Sequence, residues 1–307
     1  MTTVPRFGQI LTPAGRTVPL RVSYSAPFCL YQLLLSRTRQ HSVGAAEPEP
    51  VWLEAVRTLS RVYLPLGPFN YLEFALASAE SSDSIPARLE HQGAELGARI
   101  AEVVTANQTM YERSLWPRHQ AELEIAIGGL AELLDPHKDA LLEALACRLG
   151  VTEHPAGYEV HLVAECHEPT GAYSHPTVVS VQRFAGLALV ETLVHELGHV
   201  LAHHAKHTGG SLWQELSKEC WRRGRPRQFA LQLFHLLLFH AGASVVREVV
   251  DRDYRPQAVE HRLFEKFSRV LGVTVDQAVL ERHCATTGGD PRGAGASVVG
   301  LLDELLG

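Results

Sequence analysis

The pattern of apolar and polar positions changes character once along this chain, near Gly150. Upstream, from about Val51 to Arg148, apolar residues recur at helical spacing. Leu89, Leu96, Ile100 and Val103 fall on one helix face, and Leu123, Ile127, Leu130 and Leu134 repeat the arrangement further on. Pro117 and Pro136 punctuate this stretch, which reads as four or five helices. The first 45 residues carry little pattern beyond a weak alternation in Val18–Tyr24 (VPLRVSY), a candidate strand. A Pro-bearing polar connector, Gly44–Pro50, follows.

Downstream of Gly150 the period shortens to two. Tyr158–Glu165 (YEVHLVAE) alternates as a strand does, Glu168–Pro176 reads as a loop, and Thr177–Gln182 (TVVSVQ) as a second, β-branched strand. Helical spacing then returns. The pattern predicts helices over Phe184 to about Lys206, Ser211–Arg223 with Ser211 as N-cap, and Pro226 to about Val250. Two further helices are expected at Arg255–Leu271 and Val275–His283. Thr286–Ala296 is a Gly-rich loop before a short terminal helix, Ser297–Leu306. That loop lacks the Gly-Lys-Ser/Thr ending and the preceding strand of a phosphate cradle, so a surface loop is the expectation. The expected fold is α+β and mostly α-helical. A helical N-terminal region, 1–150, acts as a lid or subdomain, and a catalytic region, 151–307, holds a small sheet beside a central helix.

Composition narrows the function. The chain has 307 residues, 46% hydrophobic and 20% charged, as an ordinary globular protein does. With 28 Lys+Arg against 34 Asp+Glu the formal charge is −6, which speaks against a nucleic-acid partner. No run of 18 uncharged apolar residues appears, and the N-terminal residues lack the basic and apolar regions of a secretory leader, so no membrane partner is expected. The five cysteines form no CxxC pair, which fits reduced thiols in a cytoplasmic protein. Histidine is the unusual residue: there are 17.

The densest histidine cluster lies in 191–204, ETLVHELGHVLAHH, which contains His195-Glu196-Leu197-Gly198-His199, an HExxH motif. Residues i and i+4 of a helix share a face, so His195 and His199 can present ring nitrogens to one ion. Glu196 sits about 100° round the helix and reaches a water on that ion instead. A metal held by three protein ligands keeps a fourth position for water, and zinc lowers that water's pKa to roughly 7. The flanks, Leu187, Leu189, Val190, Leu193, Val194, Val200 and Leu201, are apolar, so the helix should be buried and its polar groups in need of partners. The bland alternative is a solvated polar stripe continued by His203, His204 and His207.

This segment resembles the zincins, the HExxH class of zinc metallopeptidases. The resemblance extends over about Tyr158 to Val250, because zincins place an edge strand just before the motif helix, where Thr177–Gln182 stands. It implies zinc as cofactor, a peptide or protein substrate, His195 and His199 as ligands and Glu196 as general base. The metzincin subclass is excluded, since Ala202 and Ala205 stand where its Gly and third His are required. For the third ligand two residues compete. Glu219 lies 20 residues after His199, opposite it if the two helices pack antiparallel; otherwise it is a solvated residue beside Lys218 and Arg222. His235 lies in the apolar run Phe229–Phe239 and is the preferred choice over an ordinary core histidine. His203 and Glu191 are candidates for residues that orient the ligands. His240 and Tyr254, and also Tyr173, are candidate donors to a developing oxyanion. Two alternatives remain: a zinc enzyme acting on a small non-peptide substrate, and a non-catalytic helical scaffold or metal-binding protein.

Overall fold

In a computed structural model of the chain, residues 9–11, 17–42, 49–63, 94–166, 171–174, 178–181, 184–208, 212–284 and 291–307 are described. The protein is mostly helical with a small sheet, as expected. The strands are β1 (Gln9–Leu11), β2 (Thr17–Ser23), β3 (Tyr158–Val163), β4 (Ala172–Ser174) and β5 (Val178–Val181). The helices are α1 (Ala26–Ser42), α2 (Leu53–Tyr63), α3 (Ala94–Ser114), α4 (Trp116–Leu134), α5 (Lys138–Arg148), α6 (Leu187–Thr208), α7 (Leu212–Arg222) and α8 (Arg227–Val249). They are followed by α9 (Gln257–Glu260), α10 (Leu263–Leu271), α11 (Gln277–Cys284) and α12 (Pro291–Leu306).

The chain divides into two compact units, though not at residue 150 as the sequence suggested. Among the described residues, one unit comprises Arg21–Gly129 with Glu159–Ala185, and the other Leu130–Tyr158 with Gly186–Gly307 and Gly8–Leu20. The change of pattern near Gly150 marks where β3, β4 and β5 begin, although β1 and β2 lie near the start of the chain, and packing joins segments far apart in sequence.

In the first unit α1, α2 and α3 pack on one another. Ile100, Val104 and Tyr111 of α3 are buried, and Leu123 and Ile127 of α4 fill the expected apolar face. Leu89 lies outside the described residues. Helix α1 was not foreseen. Phe28 through Leu35 are all buried, including Gln32, so no polar face gives it a helical period. Within this unit β3 and β5 are parallel and β4 is antiparallel to β5, while β1 pairs antiparallel with Thr17–Pro19 of β2 inside the other unit's Gly8–Leu20 segment. The second expected strand is β5, its Thr177 and Gln182 lying outside the described residues. It is not an edge strand: Val178–Val181 is bonded to β3 on one side and to β4 on the other. The edge belongs to Ala172–Ser174, inside the segment read as a loop.

In the second unit α8 is the hub, packing on α5, α6, α7, α9, α10 and α11. Over an 18-residue window its mean hydropathy is 1.7, long and apolar enough by composition to cross a membrane, and 72% of that window is buried inside the protein. The run between Arg227 and Arg247 carries no charge, but Gln232, His235, His240 and Ser244 interrupt it, so it is not a continuous apolar run. The single helix expected over Arg255–Leu271 is two, α9 and α10, separated at Arg262, whose φ of 53° is left-handed. The Gly-rich stretch is helical from Pro291 onward, with proline in the first helical turn where it loses no hydrogen bond. Residues 285–290 of that stretch, and Ser211, lie outside the described residues.

Candidate metal centre

Helix α6 carries the HExxH motif and is buried on every side from Leu189 to Gly198. Burial on all sides follows from its composition, since leucine and valine occupy positions all round the axis. Glycine at two points marks where α6 and α8 run close together. A Cβ on Gly242 would stand 3.4 Å from the His195 backbone nitrogen, and one on Gly198 would stand 3.0 Å from Leu238 Cδ2. Close helix contact is therefore built into α6 and α8 at the level of His195.

That contact brings three histidines together. The ligand atoms of His195, His199 and His235 all lie within 4.8 Å of one another. Their ring centroids form a near-equilateral triangle with sides of 4.9, 5.0 and 5.1 Å. The Nε2 atoms of His195 and His235 face each other at 3.1 Å. Two nitrogens bound tetrahedrally to one zinc at about 2.0–2.1 Å each would stand about 3.3–3.4 Å apart. The observed separation is close to that edge, and three neutral imidazoles with a fourth position open are a donor set that zinc takes. The residues present therefore fit a metal ion, and this group could hold one.

Aromatic rings enclose the group. Phe239 stacks on His195, with ring centroids 3.9 Å apart and planes inclined by 24°. Phe267 of α10 meets His235 edge-on at 5.9 Å, and Phe234 meets His199 at 6.4 Å. In this apolar setting His195 and His235 are held neutral. Burial, followed by the neighbouring His199 and His235 rings, keeps His195 well below the ordinary histidine range against an opposing backbone contact from Leu238. Burial alone pushes His235 down to about 4. A neutral ring is the form that ligates metal.

Glu196 is buried on the same helix, next to His195. Glu191, one turn before His195, is also buried and is anchored within the second unit. Its Oε2 accepts the Tyr254 hydroxyl at 2.6 Å and the Gln257 backbone N–H at 2.9 Å. The Gln257 side-chain amide donates to the Ala188 carbonyl at 2.8 Å and to Thr192 Oγ1 at 3.0 Å. Burial raises the Glu191 pKa, and the Gln257 and Tyr254 bonds offset part of that rise.

The other sequence candidates are placed elsewhere. Glu219 is not in the ligand group. Its carboxylate is held by Arg222, at 2.6 and 2.8 Å, and by Arg223 at 2.8 Å, and these guanidinium groups hold its pKa down at about 2. The i+3 and i+4 spacing within α7 favours that pairing over a metal across the helix turn. His203 is exposed and outside the group. Tyr254 commits its hydroxyl to Glu191, and His240 faces a different cleft, with α8 turning about 140° between residues 235 and 240. Tyr173 lies in the first unit and accepts a bond from Gln32 Nε2 at 2.7 Å. Of the three expected oxyanion donors, Tyr254 and Tyr173 thus have hydroxyls engaged in other bonds. Sequence reasoning passed over Phe239, whose i+4 spacing from His235 was a usable signal, and Gln257, which had none. Comparison with known protein families, with curated proteins and with solved structures gives no match for this chain.

Proposed function

We propose that the protein is a zinc-dependent hydrolase of the HExxH type, most directly a metallopeptidase of the zincin kind with a third histidine as ligand. The observation that carries this reading is the convergence of His195, His199 and His235 within 4.8 Å on a helix pair whose next buried polar residue is Glu196. Zinc bound there would polarise a substrate carbonyl and bring a water's pKa to roughly 7.

The chain's own residues supply the rest. His195, His199 and His235 would bind through ring nitrogens, with His195 and His235 kept neutral by burial. Phe239, stacked on His195, fixes that ring's plane. Glu196 takes the proton from the attacking water on its carboxylate and returns it to the leaving amine, a general acid–base role worth about 10²–10⁴-fold. The substrate is a peptide or protein amide. A reducing, cytoplasmic setting goes with this reading, since the five cysteines form no CxxC pair.

The test is elemental analysis with a peptide-hydrolysis assay on wild type and Glu196→Gln. Near-stoichiometric zinc in both, with activity reduced at least about hundredfold in the variant, is the expected result. A wild-type chain that takes up no metal at neutral pH, or a variant as active as wild type, would overturn the reading.

A further inference from the structure

The open side of α8 connects the metal centre to a basic turn. Over the first half of the helix Arg227, Gln228, Leu231, Gln232, His235 and Phe239 are exposed or half-exposed, and the residues between them are buried. At about 100° per residue these positions fall within about 140° of one another, so they form one stripe along the helix. The stripe leaves the three-histidine group at His235 and ends at the turn between α7 and α8.

That turn carries charge opposite to the rest of the molecule. Between Lys218 and Arg227 lie five cations and one carboxylate, in a chain whose net charge is −6. Glu219 holds Arg222 and Arg223, and Asp303 takes a second nitrogen of Arg223. Arg225 and Arg227 are exposed and form no ion pair among the described residues; the Arg225 guanidinium lies 5.4 Å from the centre of the Phe229 ring. Beside them, in the last turn of α7, Trp221 is 81% exposed. Arginine and tryptophan are the residue types that carry much of the binding energy at protein surfaces, and two uncommitted guanidinium groups call for carboxylates.

The spacing says where those carboxylates lie. Arg227 precedes His235 by eight residues, about 12 Å of helix axis. An extended peptide advances about 3.3 Å per residue, so a chain lying on the stripe with its reacting amide at the histidines brings its third or fourth residue to the basic turn. Gln228 and Gln232 present side-chain amides to a peptide backbone on the way. A nucleic-acid strand suits the stripe less well: Trp221 is the one exposed aromatic ring among the described residues of this unit, which gives no succession of stacking platforms. We propose that the stripe is the substrate track, and that the substrate is a peptide segment with acidic residues three to four positions from the bond cut, received by Arg225 and Arg227 beside Trp221. The placement of that bond rests on the hydrolase reading above.

The test uses the full chain and two fluorescent peptides that differ only in carrying Glu or Gln at the third and fourth positions on both sides of a central bond. Anisotropy with the Glu196→Gln chain reads binding without cleavage. The Glu peptide should bind about five- to tenfold more tightly, and added salt should erode that preference. Adding Arg225→Gln and Arg227→Gln together should make the two peptides bind alike. With the wild-type chain the preference should appear in KM and leave kcat nearly unchanged, because the contact is remote from the reacting amide. Equal binding of the two peptides, a preference that survives the paired arginine substitutions, or tighter binding of a single-stranded oligonucleotide would each overturn the proposal. Preference without cleavage of either peptide supports the track and overturns the hydrolase reading, whereas cleavage of both without preference overturns the track alone.

Discussion

The two units bury histidine in opposite ways. In the first unit each buried ring is met by a hydroxyl: His161 Nδ1 lies 3.0 Å from Ser23 Oγ, and His119 Nδ1 lies 2.9 Å from Tyr111 Oη. In the second unit His195 Nε2 meets another imidazole nitrogen, that of His235, at 3.1 Å. A histidine paired with a hydroxyl belongs to the core, even where, as at His161, the other ring nitrogen is buried without a hydrogen bond. Two neutral rings with nitrogens face to face share at most one proton, and a third ring beside them adds another lone pair. The first arrangement stabilises a fold, whereas the second concentrates acceptors around a point where a cation would sit.

The strongest way to break that contrast is to ask which histidines couple stability to metal. Zinc at about one hundred times its dissociation constant should stabilise the wild-type second unit by about 2.7 kcal/mol. Thermal unfolding with and without zinc should show this gain in wild type and in Ser23→Ala, and no gain in His235→Ala. A zinc-dependent rise that survives His235→Ala would remove the three-histidine centre from consideration.

Part of this contrast was legible in the sequence. The HExxH spacing encodes helix geometry directly, and His235 stood out because a polar ring in Phe229–Phe239 had to be satisfied by something. Glu219 competed only while its neighbours' geometry was unknown; its bonds to Arg222 and Arg223 are local and follow from spacing along one helix. What stayed hidden is non-local. Whether Val178–Val181 is an edge or interior strand depends on pairing with β3 and β4. The anchoring of Glu191 by Tyr254 and Gln257 joins residues more than 60 apart. Helix α1 was invisible because burial on all sides erases the period that reveals a helix.

The first unit's histidines should instead report in pH dependence. Burial pushes His161 down to about 4, below its ordinary value. Between about 6.5 and 4 the unfolded chain then binds the extra proton, so stability is full above pH 6.5 and falls as pH drops towards 4. One pKa unit corresponds to about 1.4 kcal/mol, which sets roughly 3 kcal/mol as the upper limit for this group. Urea unfolding across that range should lose part of its slope in His161→Phe. An unchanged slope would mean that other groups carry the acid sensitivity.

Tyr254→Phe sharpens the comparison inside the second unit. It removes one of the two bonds to Glu191 Oε2 and leaves the Gln257 N–H in place. The expected cost is about 1–2 kcal/mol in urea unfolding, with zinc content unchanged, because the bond braces α6 one turn away from the ligands. Loss of zinc in this variant would show that Tyr254 belongs to the centre itself.

The smallest effect is expected where α6 and α8 touch. A Cβ at Gly242 would lie 3.4 Å from His195 N, 3.6 Å from Glu191 O and 3.6 Å from His195 Cα, ordinary contact distances. Gly242→Ala therefore fits without parting the helices, and replacing a mid-helix glycine should stabilise the protein by up to about 1 kcal/mol with zinc retained. Gly242→Leu adds atoms that have nowhere to go but into the His195 backbone, and overpacking costs about 1–3 kcal/mol. In that variant His195 and His235 are pushed apart, so zinc affinity should fall further than stability does, a split measured by zinc titration beside urea unfolding. If both variants bind zinc as wild type does, the close approach at Gly242 sets the packing of the helices but not the spacing of the three rings.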